Sequence, residues 1–167
     1  MAVLLNQTSN LRTRLDLVRR LSDGARAPAS LEMRVSVDRY RHEGHVFVPL
    51  LEVPQARLLD MDLIQFLQSL EELLDGKAEL AALEASVDPA IGLRLVGGPE
   101  AFLVEVGVDL LNVLEPLGGV SGERGADLAL YRFVANQKAV VSFCAALLED
   151  FAKFPTDPSR VSKGEPA

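Results

Sequence analysis

The stretch Leu31–Arg41, LEMRVSVDRYR, decides how this chain is read. Leu31, Met33, Val35 and Val37 alternate with Glu32, Arg34, Ser36 and Asp38. Successive side chains of a strand point to opposite faces, so this period turns the apolar set toward a core and the polar set toward an outer face. RHEG can turn the chain at Gly44, and HVFVPLLEV then returns as a second strand, apolar on both faces, with Pro49 arguing against a place in mid-sheet. Upstream, ARAPAS breaks the pattern. Before it, Leu11, Leu15, Val18 and Leu21 follow Asn10 at near-helical spacing and Asp23-Gly24 supplies a stop, which predicts a short helix over about 10–23.

Downstream, the apolar positions 63, 64, 66, 67, 70, 73 and 74 form a wide helical stripe, with Asp62 and Gln65 placed as a capping-box variant and Gly76 as the stop. AELAALEAS is short and precedes Asp88-Pro89, which favours a strand, although its alanine content also suits a helix. Ile91, Leu93 and Leu95, then the turn VGGPE, then Phe102, Val104, Val106, Val108 and Leu110 predict a hairpin. NVLEPLGGVSGERGAD is a loop by composition, LALYRFV a short strand, and Asn136 a cap for a final helix that ends before Pro155. The tail 155–167 has little to bury and is expected to be disordered.

The expected fold is therefore α+β in two layers: an antiparallel sheet of about five to six strands with helices packed on one face. Residues 1–154 form one domain, with the helix over about 10–23 at its periphery and no internal repeat. The uncovered sheet face would present Glu32, Arg34, Ser36 and Asp38 from one strand and Leu103, Glu105, Gly107 and Asp109 from another, a mixed surface suited to contact with a partner.

Charge narrows the partner. Residues 1–30 hold five arginines against two acids, and the remainder holds twelve basic residues against twenty-two acidic ones, giving the net −7. An acidic body disfavours nucleic acid and anionic lipid, since neutralising phosphate needs clustered Lys and Arg; it suits a basic protein, or else simply keeps a small protein soluble. A single cysteine excludes an intramolecular disulfide framework, and no apolar run is long enough to span a bilayer. MAVLL is too short for the apolar region of a secretory signal, so the expectation is a cytoplasmic protein; the arginine-rich first thirty residues also match the composition of a mitochondrial transit segment.

Chemistry is hard to find. His42, Glu43 and His45 sit together in the hairpin turn, but strand residues three apart point to opposite faces and a fourth ligand is not evident, so no metal is assigned. Cys144 falls on the apolar stripe of the last helix, where a free cysteine acts as a small hydrophobe. No nucleophile elbow, Walker loop or dinucleotide fingerprint occurs. Glu71, Glu72 and Asp75 near one helix end, and Glu149 and Asp150 near another, lie on polar helix faces, as solvated groups or partner contacts. No catalytic residue, cofactor or metal ligand is predicted, and the partner-binding candidates are Glu32, Arg34, Asp38, Glu105, Asp109, Glu71, Glu72 and Asp75.

LEMRVSVDRYR, LLDGKAEL, IGLRLVGGPEAFLVEVGVDLL and LYRFVANQKAVVSFCAALLEDFAKF together resemble the small bacterial immunity proteins of contact-dependent toxin systems, those partnered with wall-associated toxins in particular. The resemblance runs from Leu31 to Pro155 as a pattern of elements. Where that family often opens its last helix with Asp-Gln, this chain has Asn136-Gln137, which keeps the cap. The resemblance implies binding and neutralising a cognate toxin, without catalysis. The alternative is a secretion chaperone or adaptor, a dimer holding an effector's extended segment in an apolar groove.

Overall fold

A computed structural model of the chain describes residues 1–21, 29–84, 91–98, 100–109 and 128–154. Their elements run β1 (Ala2–Leu5), β2 (Leu11–Leu21), β3 (Ser30–Arg41), β4 (Val46–Leu59), α1 (Asp60–Leu74), β5 (Leu80–Glu84), β6 (Ile91–Gly98), β7 (Ala101–Asp109), β8 (Leu128–Asn136) and α2 (Gln137–Ala152). The class is α+β, but the single sheet of five to six strands is corrected to two four-stranded antiparallel sheets, ordered β1-β2-β3-β4 (sheet A) and β5-β6-β7-β8 (sheet B). Among the described residues, four strands followed by a helix occur twice, an order that the sequence does not display as a repeat.

The helix expected over about 10–23 is strand β2 as far as Leu21; residues 22–28 lie outside the described set. The physical reason is visible in LRTRLDL: Thr13, Leu15 and Leu17 are buried, while Arg12, Arg14 and Asp16 between them pair across to Asp38, Ser36 and Arg34 of β3. A helical stripe through Leu11, Leu15 and Val18 would have left Thr13 and Leu17 on the wrong side. In the strand it is Val18 that is exposed, beside a register shift between Leu17 and Arg19.

The β3–β4 hairpin turns at Gly44, at φ +89°, and His45 follows at φ +52°, the left-handed region that a branched side chain resists. β4 is longer than HVFVPLLEV suggests and carries both Pro49 and Pro54. It borders β3 alone, and proline, which has no N–H to give, is tolerated on such an edge. Helix α1 opens at Asp60, earlier than the stripe indicates. Asp62 is not its cap but its third residue, accepting the backbone N–H of Leu59 at 3.1 Å. Asn136 does cap α2, its side-chain oxygen accepting the N–H of Ala139 at 2.9 Å. The hairpin of β6 and β7, the strand in LALYRFV and the strand within AELAALEAS are all present. The loop expected over residues 112–127 and the tail 155–167 lie outside the described residues.

Each helix leaves the sheet that precedes it. α1 follows sheet A and packs on β5 and β6 of sheet B; α2 follows sheet B and packs on β1 and β2 of sheet A; the two helices also touch. Inward side chains of both sheets and both helices merge into one core, with Phe66, Phe102 and Phe143 among its largest fully buried members. Burying each such ring contributes about 1.5–3 kcal/mol. Two further links join the halves: Gln7 donates its backbone N–H to the carbonyl of Val134 at 2.9 Å, and Arg20 bridges Asp60 at the start of α1 to the carbonyl of Phe154 after α2.

Candidate protein-binding face

The partner candidates read from the sequence fall into three places rather than one. Glu32, Arg34 and Asp38 lie on sheet A, and Glu105 and Asp109 on sheet B, so the single mixed face expected from β3 and β7 does not exist. Glu71, Glu72 and Asp75 stand exposed at the end of α1.

On sheet A the polar face is largely occupied with itself. Asp38 is only 1% exposed, and its carboxylate takes the Arg12 Nε at 2.7 Å and the Arg14 Nε at 2.9 Å. Arg14 also donates to the Ser36 hydroxyl at 2.8 Å, while the Arg12 guanidinium lies 4.0 Å over the ring of Phe47. Glu32 accepts from Arg19 at 2.9 Å and from Gln55 at 3.2 Å. Arg34 is the exposed member of the set. At the hairpin tip, Tyr40 packs edge-on against both His42 and Phe47, and its hydroxyl lies 2.9 Å from the Nδ1 of His45.

On sheet B the outer face is open. Strand register puts Leu80, Val96, Leu103 and Val134 in one row across all four strands. Leu103 is 39% exposed and Val134 42%. The neighbouring row is Ala82, Arg94, Glu105 and Arg132, in which Glu105 takes the Arg132 Nε at 2.6 Å and faces Arg94 at 4.0 Å. A third row, Glu84, Gly92, Gly107 and Leu130, offers bare backbone beside an exposed leucine. An apolar row beside a row of paired charges has the make-up of a protein contact: an apolar strip to desolvate, and a polar rim with its own partners to fix orientation. Asp109 ends β7 opposite Leu128.

α1, which packs on the inner side of sheet B, has an acidic end. α1 carries Asp60, Asp62, Glu71 and Glu72 without a single Lys or Arg, and Asp75 and Glu79 follow it in the chain. Glu71, Glu72, Asp75 and Glu79 are exposed, with Lys77 bound to Asp75 at 2.7 Å. That contact, a charge-assisted hydrogen bond, raises the Lys77 ammonium above its ordinary pKa. The turn 76–79 leads directly from this cluster to Leu80, the first member of the apolar row, and the Glu79 carbonyl accepts the N–H of Gly97 at 3.2 Å. Leu80, Val96, Leu130 and Val134 were not predicted as site residues. Their alternation is present in the sequence, but only the register aligns them with Leu103.

Two titratable groups of α2 are buried. Cys144 is buried in the core, where desolvation, and then the negative charge of Glu71, push its thiol pKa up and keep it protonated. Asp150 is nearly buried and takes the Lys153 ammonium at 2.7 Å. Among the described residues no three His, Cys, Asp or Glu side chains are grouped so as to hold a metal ion, and no helix is long and apolar enough to cross a membrane. Compared with known proteins, the chain matches no family model, and no curated protein or solved structure matches it.

Proposed function

We propose that the chain is a non-catalytic binding module that docks a basic, folded protein domain on the outer face of sheet B and the acidic end of α1. The observation that carries this is the row Leu80–Val96–Leu103–Val134, in which Leu80, Leu103 and Val134 are exposed and Val96 half-buried, and whose first member follows the acidic turn after α1 in the chain. Its chemistry calls for a partner with an apolar patch bordered by Lys or Arg. Neutralisation of a toxin is the specific role, as the resemblance of residues 31–155 to immunity proteins implies. The row also speaks against the chaperone alternative. Four strands at about 4.8 Å spacing make a strip only about 14 Å across, too short to hold a long extended segment. The edge strand β4, interrupted by Pro49 and Pro54, is a poor template for adding one.

The test begins with affinity capture by the tagged full chain from its native cells and identification of what is bound. Binding of that protein is then titrated against wild type, Leu103→Asp and the pair Glu71→Lys with Glu72→Lys. Each variant is expected to weaken binding at least tenfold with unchanged folding, and co-expression of wild type should relieve the partner's toxicity. Equal affinity for all three chains would sink the assignment of the face. An unfolded export substrate as the captured protein would sink the toxin role.

A further inference from the structure

The β3–β4 hairpin carries a cationic tip in a chain of net charge −7. Between Arg39 and Val48 the single acid is Glu43, in the turn. Register sets Arg39 directly opposite Val48 and Arg41 directly opposite Val46, so these four share one face, while Tyr40 and Phe47 belong to the other. Both arginines are exposed, and Val46 is 48% exposed. Arg12, Arg14, Arg19 and Arg20 of β2 are each paired with a carboxylate. By contrast, no ion pair or hydrogen bond engages the side chain of Arg39 or Arg41 among the described residues. The tip that holds them is braced. The Tyr40 N–H donates to the carbonyl of Asn10 at 2.8 Å, and Asn10 is fixed in turn by the side chain of Asn6, which accepts its N–H at 2.9 Å. The ring contacts of Tyr40 with His42 and Phe47 stiffen the opposite face.

We propose that the face carrying Arg39 and Arg41 is a docking surface for an acidic amphipathic helix of another protein. Two residues apart on a strand, the arginines stand about 6.7 Å from each other. Carboxylate side chains at i and i+4 of a helix are about 5–6 Å apart at their Cβ atoms, within reach of both guanidinium groups, and each guanidinium can hold a carboxylate through two parallel hydrogen bonds. Apolar residues at i+3 and i+7 of the same helix form the adjoining row and fall over Val48 and Val46. Charge selects this occupant over a longer polyanion. A short acidic helix meets only the tip, whereas nucleic acid or an anionic membrane would also face the acidic remainder of the chain, which repels it. The braced hairpin lowers the cost of binding, since it has little freedom left to lose. Exposed ion pairs are individually weak, so the complex is transient and sensitive to salt. The surface belongs to sheet A, not to the outer face of sheet B, and its occupation does not depend on the function proposed above.

The test uses the isotope-labelled full chain and a synthetic peptide built on the repeat Glu-Ala-Ala-Leu, which sets glutamate at i and i+4 and leucine at i+3 and i+7. In a titration followed by NMR, the methyl resonances of Val46 and Val48 should shift saturably. Arg39→Gln combined with Arg41→Gln should weaken binding at least about threefold with an unchanged melting temperature, and a Gln-Ala-Ala-Leu peptide should bind wild type correspondingly less well. Leu103→Asp should bind the peptide as wild type does. Equal binding by the double variant or of the glutamine peptide overturns the proposal, as does a titration that leaves both valines unshifted. An oligothymidylate of the same length that binds more tightly than the peptide overturns it in favour of nucleic acid. A mass that rises with concentration in the chain alone, and does not rise in the double variant, overturns it in favour of the acidic end of α1 of a second copy.

Discussion

Arg12 of β2 and Asp38 of β3 stand directly opposite each other in register, and the arginine's Nε lies 2.7 Å from a carboxylate that solvent scarcely reaches. Arg14 shares the same carboxylate, so one buried charge holds two cations together. Removing it takes from both their only carboxylate among the described contacts, leaving Arg14 the Ser36 hydroxyl and Arg12 the Phe47 ring. Asp38→Ala should therefore destabilise the fold by about 2–4 kcal/mol, somewhat below the range for fully buried pairs because both guanidinium groups keep some solvent. Urea unfolding measures it; a midpoint close to wild type would mean that the pair contributes little.

Gly97 in the β6–β7 hairpin has φ +133°, and a Cβ there would come within 2.8 Å of the Ala101 carbonyl oxygen. Both the conformation and the contact exclude a side chain. Gly97→Ala is expected to cost on the order of 2–3 kcal/mol. Gly92→Ala, where the nearest atom is the Leu83 carbonyl at 4.0 Å, serves as the control and should lie within about 1 kcal/mol of wild type. Thermal melts of the two variants side by side give the comparison.

Burial favours the neutral thiol of Cys144, so its pKa is raised and the folded chain holds that proton more tightly than the unfolded one. The resulting stability is fully present below the unfolded value of about 8.5 and is lost as pH rises through the higher folded value. A disulfide reagent at pH 8 should thus react slowly with the native chain and at once after denaturation. Rapid native labelling would show that the thiol is accessible and ionised.

If the acidic end of α1 steers a basic partner, affinity must fall as salt screens it, over a Debye length of about 10 Å at 0.1 M. Wild type should bind the partner captured above progressively more weakly as sodium chloride is raised. A chain carrying Glu71→Gln, Glu72→Gln and Asp75→Asn should lose most of that slope while keeping the apolar contribution. Parallel salt slopes for the two chains would place the electrostatic contact elsewhere.

The residues that announced their structure were those whose pattern had one interpretation. Leu31 to Val37 alternates with polar residues at every step, and Asn136 stands immediately before an apolar stripe, so β3 and the start of α2 were legible. β2 was not, because Thr13 hides the period-two pattern and Val18, beside the register shift, supplies an apolar position at helical spacing. Within each sheet every strand pairs with its neighbour in the chain, and the division falls where β4 and β5, on either side of α1, do not pair, which no local stretch encodes. The same holds for the proposed face. Leu103, Glu105 and the acids of α1 could be named from the chain, whereas Leu80 and Val134 join them only through register with β6 and β7. Asp38 illustrates the converse: it was expected on an uncovered face, yet two arginines from a strand read as a helix bury it.

The exchange of helices between the sheets has a consequence for biosynthesis. As the chain leaves the ribosome, β1 to β4 and α1 emerge first, but the apolar side of α1 finds its seat only on β5 and β6, and β1 and β2 receive their cover only when α2, the last described helix, has been made. Neither half can be completed by itself. Nascent β1–α1 intermediates must wait with Leu63, Phe66 and Leu70 uncovered, which makes this interval the point at which the chain is most exposed to aggregation and to chaperone capture. Once closed, the two halves should melt as one cooperative unit, and a cut chain should regain its structure only when both fragments are present together.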